Sequence, residues 1–242
     1  MGKMIKNQGT IAILGGMGPQ ASAKVLEVMV SMAARDFDAK TDAEFPEVVL
    51  DSIPVADFIS NKRSLKLVLK TLQNRVRTLE NFRPICFAIA CNTAHIMLDD
   101  LQAGTKIPFV SIIEEVKKQV VAAKIKKVGL LCTPTTIKSA LYKKELENRG
   151  IEVVVPSASG QLIVENVIRN VLAGKIEQSD RRKLVVVAQS LTKKGAKGII
   201  LGCTELPLIF PKDFPLPIFD SIEILARALL IKAFRGGDFE TE

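Results

Sequence analysis

Two cysteines in this chain have matched surroundings. Phe87-Ala88-Ile89-Ala90 runs into Cys91-Asn92-Thr93, and Ile199-Ile200-Leu201-Gly202 runs into Cys203-Thr204-Glu205. Each is an apolar, strand-like run ending in a thiol, with an amide or hydroxyl side chain next to it. A thiol ionises near pH ~8.5, and a helix N-terminus or a nearby cation lowers that value. Both cysteines lie between a strand and a segment able to begin a helix, a position that favours a thiolate. One thiolate and one thiol on opposite faces of a carbon acid can remove a proton from one side and return one to the other. This is two-base racemisation, a form of general acid–base catalysis. Asn92, Thr93 and Thr204, with local backbone amides, could grip a carboxylate and stabilise the enolate-like charge that develops.

The elements that must position these groups alternate along the chain. Strands are predicted at Thr10–Leu14, Val48–Leu50, Ile85–Ala90, Phe109–Val110, Lys127–Leu131, Glu152–Val155 and Gly198–Leu201. Several are unbroken apolar runs, as in parallel strands buried on both faces. Helices are predicted at Gln20–Ala34, Arg63–Leu79, Ile112–Ala123, Ile137–Asn148, Gly160–Leu172, Asp180–Lys194 and Ser221–Phe234. The alternation points to an α/β protein with open, mostly parallel sheets. A faint internal repeat divides it in two. Ile11–Leu14 leads through Gly15-Gly16-Met17-Gly18-Pro19 into a helix, and Val128–Leu131 leads through Cys132-Thr133-Pro134-Thr135-Thr136 into another. Each unit later reaches its Cys-containing segment. Ligands of open α/β sheets sit outside the carboxyl ends of the strands. Two similar domains facing each other would therefore bring both thiols to one cleft.

Three segments carry a family resemblance: Ile13-Leu14-Gly15-Gly16-Met17-Gly18-Pro19, Cys91-Asn92-Thr93-Ala94-His95 and Gly202-Cys203-Thr204-Glu205. Together they resemble the hallmarks of the aspartate/glutamate racemase family, closest to its aspartate branch, over nearly the whole chain. The resemblance implies a racemase that needs no cofactor, neither pyridoxal phosphate nor metal, acting on an amino acid as its small-molecule substrate. It implies two α/β domains with the active site in the cleft between them, and a homodimer. The expected domains are 1–107 plus 217–242 and 108–216, with possible hinges at Ile107-Pro108 and Pro215-Leu216-Pro217. Carried over by motif, Cys91 and Cys203 are the catalytic pair. Asn92, Thr93 and Thr204 contact substrate, and Met17, Thr133 and Thr136 line the pocket. The chain departs from the family at two positions. Ala56 and Leu172 stand where aspartate-specific members often carry Arg and Lys. Losing both cations would leave a substrate's second carboxylate without charge-assisted partners. Lys62 or Arg63 offers a substitute in the same loop. The implied substrate is an amino acid with a neutral side chain, or a broad set.

Other readings are weaker. Gly16-Met17-Gly18-Pro19-Gln20-Ala21 fits a dinucleotide fingerprint, with Asp51 as ribose-binding acid, and would suit an NAD-dependent oxidoreductase. Asp51 lies 33 residues after Gly18, however, and a dinucleotide site leaves the paired cysteine motifs unexplained. A catalytically silent ligand-binding protein of the same fold is a further alternative, disfavoured by the retained thiol pair. Cys86 and Cys132 read as core residues. His95 reads as packing near the site or orienting Cys91, and Glu205 as holding a neighbour in place. The net charge of +8 is dispersed over lysine and arginine clusters on helices. Aromatics are 5%, without Trp, so nucleic-acid binding is not expected. No apolar run approaches the ~20 residues that span a bilayer, no signal segment is evident, and four cysteines make no disulfide framework. A cytoplasmic location with free thiols is the expectation.

Overall fold

The computed structural model of the chain describes residues 9–57 and 64–235. Eight strands form two sheets of four parallel strands each. The first holds β1 (Ile11–Gly15), β2 (Val48–Ser52), β3 (Cys86–Ile89) and β4 (Phe109–Val110) in the order β2-β1-β3-β4. The second holds β5 (Lys127–Cys132), β6 (Glu152–Val154), β7 (Ile199–Gly202) and β8 (Ile218–Asp220) in the order β6-β5-β7-β8. The two orders are the same, so the repeat legible at the turns extends through the topology. In each sheet the chain leaves the first strand toward one edge and returns on its other side. The switch points lie between β1 and β3, where Leu14 pairs with Ile89, and between β5 and β7, where Cys132 pairs with Gly202. The Gly-rich turn and Cys91 leave the first switch point. Thr133 and Cys203 leave the second.

Strand periodicity distributes the apolar side chains into three cores. Ile11 and Ile13 of β1, Cys86 and Ala88 of β3, Val128 and Leu130 of β5 and Ile200 of β7 face one continuous core between the sheets. It is filled by α1 (Pro19–Asp36), α4 (Ile112–Ala122), α6 (Leu141–Glu147) and α9 (Ser221–Arg235). The alternate residues of the first sheet, Ala12, Leu14, Phe87 and Ile89, face outward against α2 (Leu65–Leu79) and the short α3 (Leu98–Gln102). Those of the second, Leu131, Ile199 and Leu201, pack under α7 (Ala158–Leu172) and α8 (Gln178–Lys193). The apolar stripe Val68, Leu72, Val76, Leu79 on α2 has the i, i+4 spacing of a helix with one buried face. No helix of the described residues is long and apolar enough to cross a membrane.

Each predicted strand and helix is present among the described residues, with two differences. β8 is not predicted, because three residues directly after Pro215-Leu216-Pro217 carry too little pattern. It pairs with β7, so the chain is still in the second sheet at 217, and α9 makes the return by packing on α1 and α4. The helix expected at Ile137–Asn148 is two helices, α5 (Pro134–Ser139) and α6, broken at Ala140 with φ +57°. Thr133 starts α5 early by accepting the Thr136 N–H, with Pro134 as the first helical residue. The break turns Tyr142 fully inward, where its hydroxyl donates to Asn92. Lys62 and Arg63 lie outside the described residues.

Because one core serves both sheets, the halves should unfold together. Leu229 on α9 is fully buried in that core. Leu229→Ala should lower stability by about 2–5 kcal/mol in a single cooperative transition, followed by urea titration with circular dichroism.

Candidate active site

The two switch points face each other across a cavity of about 310 Å³. Its wall includes Cys91 and Thr93 from the first half, Thr133 and Cys203 from the second, and Met17 of the Gly-rich turn. Both thiols are free and nearly buried, at 7% and 5% exposure. They continue the outward-facing registers of β3 and β7, one strand period beyond Ile89 and Leu201. Cys86 and Cys132 fall on the opposite parity and are sealed in the shared core.

Hydrogen bonds lock the halves together around the cavity. Thr93 shares hydrogen bonds with Thr133 at 2.9 Å and Thr136 at 3.1 Å, and Thr133 with Thr136 at 3.0 Å. This closes a triangle of hydroxyls between the segment after β3 and α5. Asn92 is buried behind the cavity, where its amide donates to Ser221 Oγ at 3.0 Å and its carbonyl accepts from Tyr142. Thr204 Oγ1 reaches Glu205 Oε2 at 3.3 Å, with the Ala90 carbonyl at 3.5 Å. Of the residues expected at the site, Cys91, Cys203, Met17, Thr93 and Thr133 line the cavity. Asn92, Thr136 and Thr204 stand behind it and hold the wall. Their hydrogen bonds run to Ser221 and Tyr142, to Thr93 and Thr133, and to Glu205.

Glu205 is the residue the sequence undervalued. Only 3% exposed, it accepts the Cys203 S–H at 2.9 Å and the Gly18 N–H at 3.1 Å. It therefore ties the second thiol to the Gly-rich turn of the opposite half. Two glycines make the approach possible. At Gly16, with φ +86°, a Cβ would lie 2.3 Å from the Ile53 nitrogen. At Gly18 it would lie 2.3 Å from Leu172 Cδ2 and 2.9 Å from Glu205 Oε1. Ser22 completes the turn by accepting the Gly16 N–H and donating to the Gly18 carbonyl.

The electrostatics correct one expectation. The backbone N–H groups of Ala94 and Thr93 do favour a Cys91 thiolate, but burial and the Glu205 charge outweigh them and push the thiol up to about 12. Burial, followed by Glu205, pushes Cys203 well above its ordinary value. Burial raises Glu205 itself. The ligand-free site therefore holds two neutral thiols, and a thiolate needs a cation brought in by the ligand. His95 lies off the cavity. Its Nε2 accepts the Ile112 N–H at 3.0 Å, so Nδ1 carries the proton and donates to the Cys91 carbonyl at 2.9 Å. Burial lowers its pKa to about 4. It orients Cys91 through the backbone and holds the start of α4, and it has no contact with the thiol in the hydrogen-bond network.

The rest of the wall is largely apolar: Pro19, Val55, Ala56 and Leu172 join Met17. Ala56 and Leu172, the two departures, both face the cavity. Arg169 and Asp57 also line it and form an ion pair at 3.3 Å between the halves. Nothing in the sequence singled them out, because Glu165–Arg169 reads as an ordinary i, i+4 surface pair. The dinucleotide alternative loses its two supports. Asp51 is held by a two-pronged contact from Arg75, at 2.6 and 2.8 Å, and the Gly18 N–H is taken by Glu205. Among the described residues no group of three or more His, Cys, Asp or Glu could hold a metal ion.

The family model described as Asp/Glu/Hydantoin racemase matches residues 14–229. A broad specificity amino-acid racemase of Bacillus subtilis is 27% identical over 223 residues, 90% of this chain and 95% of that protein. Among solved structures, an aspartate racemase homologue from Pyrococcus horikoshii is 31% identical with a TM-score of 0.79, covering 93% of this chain and 99% of that one. The aspartate racemase of Picrophilus torridus is 29% identical with a TM-score of 0.81, covering 93% and 94%.

His95 supplies a pH test of this arrangement. Its folded-state pKa of about 4 lies below the ordinary 6.5, so its contribution to stability is full above pH 6.5 and is lost as pH falls toward 4. The loss should amount to on the order of 3 kcal/mol. His95→Gln should be less stable at pH 7 and lack that share of the decline between pH 6.5 and 4, as read by denaturant titrations across the window.

Proposed function

The chain belongs to the Asp/Glu/Hydantoin racemase family, and from that premise we propose that it racemises free amino acids with Cys91 and Cys203 as the acid–base pair. The observation that carries this is the cavity itself: the two thiols reach one small chamber from opposite halves. At about 310 Å³ it sits at the lower end of ligand pockets, ~300–1,000 Å³. That size suits one amino acid. By the same reading the two domains are the two sheets with their helices, the first running through β4 and rejoined by α9, the second running from β5 through β8, and the chamber between them excludes water.

The chemistry follows from the neutral resting thiols. A substrate ammonium group entering between them supplies the positive charge that a thiolate needs. Glu205, already the acceptor of the Cys203 S–H, is placed to take that proton. The thiolate then removes the α-proton from one face, and the other thiol delivers its proton to the opposite face. The site is left with the thiolate on the other sulfur, ready for the reverse direction. The α-carboxylate would be held by the Thr93 and Thr133 hydroxyls and the backbone amides after the cysteines, which also stabilise the charge of the carbanion. The side chain would lie against Met17, Val55, Ala56 and Leu172, a surface that favours neutral side chains and tolerates several shapes.

Two outcomes test the proposal. Purified protein with reduced thiols and no added cofactor should incorporate α-deuterium from D2O into a subset of L-amino acids and yield the D enantiomers; folded protein without exchange on any common amino acid would refute it. Cys91→Ser and Cys203→Ser should each lower racemisation by roughly 10²–10⁴-fold or more, because a hydroxyl is a far weaker acid. Each variant should retain exchange on one enantiomer only, which assigns the two faces. Near-normal turnover in either would exclude the two-thiol mechanism.

A further inference from the structure

Two backbone segments carry the thiols, and one buried side chain touches both. Tyr142 lies on α6, fully enclosed in the core between the sheets. At Gly202, the residue before Cys203, an added Cβ would lie 3.0 Å from Tyr142 Cε2, so the edge of the ring rests on the backbone there. At its other end the Tyr142 hydroxyl donates to the side-chain carbonyl of Asn92, the residue after Cys91. The Asn92 amide in turn donates to Ser221 Oγ at the start of α9, at 3.0 Å. Ala140 accepts an unfavourable left-handed conformation, φ +57°, at the break that swings Tyr142 inward. Burial holds the phenol's ionisation well above its ordinary value, so the hydroxyl stays a neutral donor. Tyr142, Asn92 and Gly202 all stand outside the cavity wall.

Resting on the racemase reading, we infer that Tyr142 is a positioning residue: a rigid strut whose ring bears on Gly202 and whose hydroxyl holds Asn92, so that it fixes Cys91 and Cys203 relative to each other. Two-base racemisation depends on such a spacing. The carbanion formed at one thiolate must meet the second thiol on its opposite face before it takes back a proton on the first. Misplacement by about 1 Å costs about 10²-fold in a step that needs near-attack geometry. A planar ring locked by close packing transmits position between two segments without bending. Removing the hydroxyl alone leaves the ring on Gly202 and strips the buried Asn92 carbonyl of its phenol donor, and an unsatisfied buried acceptor is costly. The Cys91 segment should then loosen while the Cys203 segment stays in place.

Tyr142→Phe keeps the ring and should fold. Initial rates from one enantiomer in D2O give two products, the inverted amino acid and the starting enantiomer carrying α-deuterium. The variant should raise the ratio of retained to inverted deuterated product by about tenfold, because the carbanion returns to its first face before the displaced thiol reaches it. A merely structural loss would scale both products alike and leave the ratio unchanged. Alkylation by iodoacetamide, mapped by mass spectrometry, reads the placement without turnover. In Tyr142→Phe the labelling rate of Cys91 relative to Cys203 should rise by about fivefold. Cys86, sealed in the shared core, should stay unlabelled and so report an intact fold. An unchanged Cys91 to Cys203 labelling ratio, or an unchanged product ratio in an active variant, would overturn the inference. A shifted labelling ratio in protein that exchanges no amino acid would refute racemisation and uphold the strut.

Discussion

A buried carboxylate joins the two halves at the cavity. Glu205 holds the thiol of Cys203 with one oxygen and the Gly18 N–H with the other. A carboxylate in so apolar a place is tolerable only when its lone pairs are satisfied. The available donors are a thiol, a hydroxyl and a backbone amide. None of them neutralises the charge, so Glu205 raises the pKa of both thiols it faces. The same contact that closes the cavity keeps it in a neutral-thiol state. Much of the surrounding architecture serves to make that contact feasible: glycines at 16 and 18, a turn tied down by Ser22, and Leu172 packed against the turn.

Placement of the site follows from topology. Two parallel sheets of identical strand order each have one switch point, and each switch point opens at the carboxyl ends of its central strands. The shared core between the sheets, filled by α1, α4, α6 and α9, sets their mutual position. The Thr93–Thr133–Thr136 triangle and the Asn92–Ser221–Tyr142 contacts then fasten the rims. At these rims Asn92 is engaged by Ser221 and Tyr142, and Thr136 by Thr93 and Thr133. Their role is to keep Cys91 and Thr93 where they are.

The wall of the cavity divides its chemistry by region. Around the sulfurs it is polar and rich in hydroxyls and amides, suited to the constant part of an amino acid. Toward Ala56 and Leu172 it is apolar, with a compensated ion pair at the margin. Proteins related to this chain include one named for broad specificity and others named for aspartate.

Local sequence determined a good deal. Unbroken apolar runs specified parallel strands, because strands buried on both faces favour apolar residues at every position. Amphipathic spacing specified the helices, and the two Cys motifs at matched strand ends marked the thiols. Residues whose roles arise from long-range contact were not legible. Tyr142 turns inward because Asn92, 50 positions away, needs its hydroxyl. Glu205 meets Gly18 across 187 positions, and Asp57 meets Arg169 across 112. Sequence pattern reports periodicity within a turn or two of helix or strand. Which carboxylate reaches which donor, and whether a thiol is charged, depends on burial and on the approach of distant segments, and only the tertiary structure decides those.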